Sequence, residues 1–380
     1  MGSKQTAPRT VHLYCTIVDN YGDIGVCWRL ARQLTHEYGY GVSLWVDDWP
    51  ATQQFMATLL DAPAIVDGVQ IRPWSQVNTA QDCTGDVLIE GFGCTLPDAT
   101  LAQLAERTIK PLWINLEYFS AESWVESFHL KSGYDSVAKA RRCFFFPGVH
   151  AHSGGILRER MLLAQRDAWQ ASGHASLFLG QLGIDVLPDA LKILCFAYGH
   201  APYADWLEAL ATQPAVPLAL WLCGRYTQAA FAQLDKLAYP TVALHNLSFV
   251  SQIEFDQLLW SADVVWVRGE DSLARALWSG QPFVWHIYPQ AENAHHAKLA
   301  AWLAHYTQGF PAALREAYIE VHRAWNGVSP APAIQNAWAK LMHHWDDWRI
   351  HSRIRSEALA QASDLAQRLV EFIESTDSAY

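Results

Sequence analysis

The chain has 380 residues and a net charge of −11, with 51 % hydrophobic and only 17 % charged residues. That length fits two domains better than one, and so much apolar content buries large cores and excludes wholesale disorder. The acidic balance argues against a non-specific nucleic-acid binder, which would carry a basic stripe, and weakly favours a basic partner surface.

Seven cysteines are scattered without a C-x-x-C pair. Most lie in apolar runs (Cys15, Cys143, Cys195, Cys223), which reads as buried free thiols in a reducing cytoplasm rather than a disulfide framework or a zinc site. No apolar run reaches membrane-spanning length and no signal-peptide pattern is visible, so neither a membrane nor nucleic acid is expected as a partner. Residues 1–10 have a tag-like composition, and most of the 18 tryptophans sit in apolar patterns that read as core.

In chain order, strand-like runs at Val11–Val18, Val42–Asp48, Asp86–Gly93, Pro111–Tyr118 and Cys143–Gly148 alternate with helical patterns near Val26–Tyr38, Thr52–Leu60 and Asp98–Thr108. This alternation predicts a parallel sheet covered by helices on both faces. Trp169 to Pro188 is less regular, with Ser172-Gly173 and Leu187-Pro188 as breakers, and the domain linker is expected there. The second half repeats the grammar. Strands are expected at Leu191–Tyr198, Pro217–Gly224, Thr241–Val250, Asp263–Gly269 and Pro282–Tyr288. The helices between them are expected at Tyr203–Thr212, Thr227–Ala238, Gln252–Ser261, Ser272–Ser279 and Glu292–His305, and the chain reads as wholly helical from Ala312. The expectation is an α/β protein of two Rossmann-like domains, 11–172 and 189–350, with a helical segment at 351–376. Their strand ends would face each other across a cleft.

Two turns carry the chemistry. In the first, Asp19-Asn20-Tyr21-Gly22-Asp23 leaves a strand and enters a helix, where an α/β protein commonly holds an anion. Two carboxylates there would repel phosphate. Either alone is explained as a strand end (Asp19) or a helix cap (Asp23), whereas both together suit catalysis or substrate orientation. The spacing is not G-x-G-x-x-G, which lowers the case for hydride transfer. In the second turn, Arg268-Gly269-Glu270-Asp271-Ser272 ends a buried strand. Ser272 and early helix N–H groups could hold a pyrophosphate, Arg268 could add charge, and Glu270 could accept from sugar hydroxyls or a cation. A plain capped helix explains the same residues. Phe196 and Tyr198 could stack on a nucleobase or reach a phosphate, or be core. Gln252 could read a base edge or cap a helix. No His, Cys or carboxylate cluster has metal-ligand spacing, so no metal and no cofactor are expected.

Asp19-Asn20-Tyr21-Gly22-Asp23-Ile24-Gly25, Ser153-Gly154-Gly155, Arg268-Gly269-Glu270-Asp271-Ser272 and Trp285-His286-Ile287-Tyr288-Pro289-Gln290 together resemble the EarP family, from about Val11 to the C-terminal helix. Its members are bacterial protein-arginine rhamnosyltransferases that modify translation elongation factor P. The resemblance implies a GT-B fold, dTDP-β-L-rhamnose as donor, inversion at the anomeric carbon, and one arginine of elongation factor P as acceptor. By motif it makes Asp23 the general base, Asp19 an assisting carboxylate and Glu270 a further catalytic group. It gives Asn20, Tyr21, Gly22, Phe196, Tyr198, Gln252, Arg268, Gly269, Asp271 and Ser272 to the donor.

The chemistry agrees. A guanidinium has a pKa above 12 and is a poor nucleophile until a carboxylate orients it and takes its proton. Competing expectations are a GT-B transferase with a small-molecule or glycan acceptor, a non-catalytic nucleotide-sugar binder and, third, a nicotinamide-dependent oxidoreductase.

Overall fold

The computed structural model describes residues 8–18, 21–185, 189–212, 217–234 and 242–377, so Asp19 and Asn20 lie outside the described residues. By contacts the chain forms two compact units, Met1–Arg160 with Ala362–Tyr380, and Met161–Gln361.

In chain order the first unit contains β1 (Thr10–Cys15), α1 (Gly22–Tyr38), β2 (Gly41–Val46), α2 (Trp49–Phe55), β3 (Ala64–Val66), β4 (Val69–Pro73), β5 (Val87–Gly91), α3 (Asp98–Glu106), β6 (Leu112–Leu116), α4 (Val125–Phe128), β7 (Ser132–Asp135) and β8 (Ala140–Phe145). The described strands make one sheet in the order β3-β4-β2-β1-β5-β6-β8-β7. Its centre is parallel, as Val11 opposite both Val42 and Val87 shows. The outermost strands, β3 and β7, run antiparallel to their neighbours, which the expected all-parallel sheet lacks. The central strands read as unbroken apolar runs because they are covered on both faces.

The second unit holds α5 (Leu162–Ser172), α6 (Ala175–Gln181), β9 (Leu191–Cys195), α7 (Tyr203–Ala211), β10 (Leu218–Leu222), α8 (Arg225–Ala232), β11 (Val242–Asn246), α9 (Gln252–Ser261), β12 (Val264–Arg268), α10 (Gly269–Ser279), β13 (Phe283–His286), α11 (His295–Tyr306), α12 (Ala312–Trp325), α13 (Ala333–His343) and α14 (Trp345–Leu359). Its described strands form a parallel sheet, β11-β10-β9-β12-β13. Tryptophans dominate this core: Trp266 lies with its ring centroid 4.2 Å from Trp325 and 4.5 Å from Trp206, all three fully buried.

Two expectations change. The stretch read as an irregular linker is mostly helical, α5 and α6, with Gly173 ending α5 in the left-handed conformation. Both helices group with the second unit rather than with residues 11–160. Buried Arg166 of α5 explains why, donating to the Trp278 carbonyl at 2.8 Å and to the Ser356 hydroxyl at 3.3 Å. At the other end, α15 (Leu365–Asp377) is not a separate segment. Its Leu365, Ala366, Leu369, Val370 and Ile373 complete the first unit's core.

The Ser153-Gly154-Gly155 motif belongs to this closure. Gly155 has φ +77°, and a Cβ there would sit 2.8 Å from the Ser363 carbonyl oxygen. Only glycine allows the returning chain so close. Arg368 of α15 donates to the carbonyls of Ala151 and Ser153. Gln33 of α1 donates to Arg158 O and to the Asp364 carboxylate, which caps α15 by accepting from Ala366 N. Among the described residues, no helix is long and apolar enough to cross a membrane.

Candidate active site

In the first unit the site forms where β1, β5 and β6 end, neighbouring strands whose C-terminal ends share one edge, the usual place for a ligand on an open parallel sheet. Helix α1 begins at Gly22 with Tyr21 as its N-terminal flanking residue, whose own side chain makes no capping bond. Asp23 in the first turn is 4 % exposed. It does not act as a cap. Its Oδ2 accepts the Val18 N–H at 2.9 Å, clasping the strand exit, and its Oδ1 receives the Tyr118 hydroxyl at 3.4 Å. Tyr118 follows β6 and stacks on Phe92, which follows β5, with ring centroids 4.7 Å apart and planes at 20°. Phe92 holds φ +57°, strained for a bulky residue and frequent at functional strand ends. Glu117 beside Tyr118 accepts from the Asn115 amide at 2.9 Å, and burial raises its pKa. Tyr21, half-buried, turns its hydroxyl to Gln54 at 2.9 Å and its ring to Phe55.

In the second unit the ends of β10, β9, β12 and β13 adjoin in that order. Arg268 closes β12 in extended conformation, and Gly269, at φ +68°, opens α10. The helix therefore starts before Ser272, and the amides aimed out of its N-terminus belong to Gly269, Glu270 and Asp271. Ser272, 7 % exposed, lies in the same turn. The Arg268 guanidinium carbon lies 4.6 Å from the Phe196 ring centre, 4.7 Å from Tyr198 and 5.3 Å from Tyr226. Its Nη1 is buried and finds no hydrogen-bond partner among the described residues. A caged guanidinium at a helix N-terminus is an anion receptor: the rings fix the charge by cation–π attraction while its N–H groups can serve a phosphate. Glu270 pairs with Lys298 of α11 at 2.6 Å, so its charge is balanced within the unit. The cap of α9 is Ser251, in a reciprocal box with Glu254, which leaves Gln252 as the first helical residue rather than the cap. Buried Arg275 forks onto Asp256 at 2.8 and 2.6 Å, tying α10 to α9 behind the site.

The structure thus gathers Phe196, Tyr198, Arg268, Gly269, Asp271 and Ser272 on one sheet edge of the second unit. Asp23 sits with Tyr21 and Gly22 in the first. Sequence patterns do not single out Tyr118, Tyr226 or Lys298. The strand-end glycine Gly224 is the one cue for Tyr226; a Cβ on Gly224 would sit 2.8 Å from the Phe196 ring. Among the described residues no group of three or more His, Cys, Asp or Glu is placed to hold a metal ion.

The chain is similar to a protein-arginine rhamnosyltransferase of Pseudomonas putida, 43 % identical over 96 % of this chain and 98 % of that protein. A protein-arginine rhamnosyltransferase of Pseudomonas aeruginosa is 40 % identical over 95 % and 97 %. A solved structure described as the basis for EarP-mediated arginine glycosylation of translation elongation factor EF-P matches with TM-score 0.66 and 33 % identity, covering 97 % of this chain and 99 % of its own. MurG of Acinetobacter baumannii, at 13 % identity and TM-score 0.50, shares the fold alone, covering 97 % of this chain and 100 % of its own. The architecture is the GT-B glycosyltransferase fold. The family of the elongation factor P (EF-P) rhamnosyltransferase EarP matches residues 11–374, and the chain belongs to it.

Proposed function

We propose that this protein transfers rhamnose from dTDP-β-L-rhamnose to an arginine side chain of elongation factor P, with inversion at the anomeric carbon and no divalent metal. The second unit takes the donor and the first activates the acceptor. The observation that carries the donor assignment is the exit of β12. There the Arg268 guanidinium is fixed by three rings, with a buried Nη1 lacking a hydrogen-bond partner among the described residues, at the positive end of α10.

In this reading the diphosphate lies against Arg268 and the amides of Gly269 to Asp271, with Ser272 donating to a phosphate oxygen. Phe196, Tyr198 and Gln252 flank the nucleotide. An arginine nitrogen of the acceptor attacks the anomeric carbon from the face opposite the leaving group. The C–O bond to the β-phosphate breaks, and its electron pair goes to dTDP. Asp23 takes the proton released by the attacking nitrogen, so the glycosylated guanidinium keeps its single positive charge. Asp19 assists Asp23 in orienting the guanidinium. The charge developing on dTDP is met by preformed positive groups, which lowers the barrier without a metal. Free cysteines, Cys15, Cys27, Cys83, Cys94, Cys143, Cys195 and Cys223, suit the reducing cytoplasm in which an acceptor of the translation machinery is met.

Incubating the full chain with elongation factor P and dTDP-β-L-rhamnose, with and without EDTA, tests this. Mass spectrometry should find one deoxyhexose on an arginine in both samples. An unmodified acceptor overturns the reading, and a product lost only with EDTA overturns the metal-independent mechanism.

A further inference from the structure

The Trp285–Gln290 motif contains a buried histidine to which the reaction above gives no task. His286, 1 % exposed, ends β13. Its Nδ1 accepts the main-chain N–H of Tyr198 at 3.2 Å, and its Nε2 lies 3.0 Å from Nε2 of His200. An amide can only donate, so Nδ1 of His286 carries no proton. The proton of the neutral ring is therefore on Nε2 and is donated to His200, whose own proton is then on Nδ1. The chain of bonds runs in one direction only, from Tyr198 N–H through His286.

The rings follow the same geometry. Tyr198 lies parallel to His200, with planes at 11° and centroids 6.0 Å apart, and meets His286 edge-on at 5.1 Å. The same Tyr198 ring carries the Arg268 guanidinium at 4.7 Å. The groups facing the pair are Arg268 from β12, His295 from α11, Tyr198 from the exit of β9 and Trp325 from α12, while Tyr288 meets the Tyr198 ring edge-on. None of these is a carboxylate. Burial, with Arg268 and the other histidines, holds His286 well below the ordinary histidine range, and burial lowers His200 as well.

We propose that His200 and His286 are positioning residues for the donor wall: the neutral pair anchors the main chain and ring of Tyr198, and through them the Arg268 guanidinium. This rests on the reading that the second unit binds the donor. A proton added to His200 Nε2 meets the Nε2–H of His286, and one added to His286 Nδ1 meets the Tyr198 amide. Either opens the chain of bonds. Acid thus loosens the wall.

The test is calorimetric titration of dTDP-β-L-rhamnose into the full chain at several pH values, with native circular dichroism verified at each. Its diphosphate diester keeps a constant charge over this range. The wild type should lose affinity about tenfold between about pH 7.5 and about pH 5.5. His200→Phe keeps a ring against Tyr198 but no acceptor, and should be about fivefold to tenfold weaker at the upper pH and insensitive to acid. His200→Gln restores an acceptor that does not titrate, and should recover to within about threefold at the upper pH and stay flat. A wild type with pH-independent affinity, or a His200→Phe variant that binds normally or keeps the wild-type pH profile, overturns the proposal while leaving the donor reading intact. Absence of binding by the wild type at every pH overturns both.

Discussion

The Tyr118 hydroxyl reaches Oδ1 of Asp23 at 3.4 Å, from the exit of β6 to the first turn of α1. With the Val18 amide on Oδ2, the carboxylate is held at both oxygens at the rim of the sheet. Under the proposed function, a buried carboxylate fixed this way would meet the acceptor guanidinium without first having to reorganise, which is the advantage a preset base has over water.

Asp23→Ala should therefore lower kcat by about 10²–10⁴ and leave the donor dissociation constant within a few-fold. Single-turnover kinetics and calorimetric donor titration on the same preparation check it. Lost donor affinity with normal turnover at saturation would exchange the roles of the two units. Tyr118→Phe removes one bond to Asp23 and should cost about 0.5–1.5 kcal/mol in kcat/KM, far less than losing the carboxylate.

On the donor side, Ser272→Ala should weaken donor binding by about 1–3 kcal/mol if the hydroxyl serves a phosphate. Arg268→Met should weaken it at least as much, since it removes both charge and fork. Arg268→Lys should not restore it, because an ammonium cannot lie flat among Phe196, Tyr198 and Tyr226 while presenting two parallel donors. Equal affinities for Arg268→Lys and the wild type would show that only the charge matters.

The second unit should fold alone as residues 161–361 and bind dTDP. A Leu191–Trp348 fragment should not fold, because it loses α5 with buried Arg166 and most of α14, including Ser356. Thermal unfolding of both fragments decides this. A cooperative transition in the shorter one would show α5 to be dispensable.

Stability should fall on acidification through a histidine buried between α12 and β13. Fully enclosed His322 accepts the Trp285 N–H on Nε2 at 3.1 Å and donates Nδ1–H to the Tyr318 carbonyl at 2.9 Å, so it is neutral. Burial takes its pKa from 6.5 down to about 4. Between those values the unfolded chain binds the extra proton, so stability is intact above pH 6.5 and is lost toward about pH 4, by about 3 kcal/mol in all. Urea unfolding of wild type and His322→Gln across that window checks it; the variant should show a shallower loss, and identical slopes would acquit His322.

Much of this architecture is legible along the chain, for a physical reason. Val264-Val265-Trp266-Val267 is apolar on both faces, as a central parallel strand must be, and α9 runs over Gln252–Ser261 as its pattern predicts. The short antiparallel edges are not legible, since Ala64–Val66 and Ser132–Asp135 are too brief and too exposed to show a period. Ser172-Gly173 reads as a break between domains, but Gly173 only ends one helix before the next begins. At the site, Arg268 and its turn are visible because they are contiguous. Tyr226, Tyr198 and His286 leave three different strands and converge only once the sheet order is known.

Gly155 and Gly173 offer a controlled pair. Both hold positive φ, +77° and +70°, but a Cβ at Gly173 meets nothing within 4 Å, while one at Gly155 strikes the Ser363 carbonyl at 2.8 Å. Alanine at Gly173 should cost about 1 kcal/mol, and at Gly155 about 2–3 kcal/mol, as read from denaturant midpoints.

That contact also sets a timetable. Residues 161–361 are an insertion inside the first unit, and Leu365 to Ile373 fill its core. As the chain leaves the ribosome, the inserted unit has all its parts while its host still lacks a wall, with Leu13, Leu30 and Leu116 awaiting their last neighbours. The half carrying Asp23 is thus the last to mature. A chain truncated near residue 361 would hold every element of the inserted unit while its host still lacked α15.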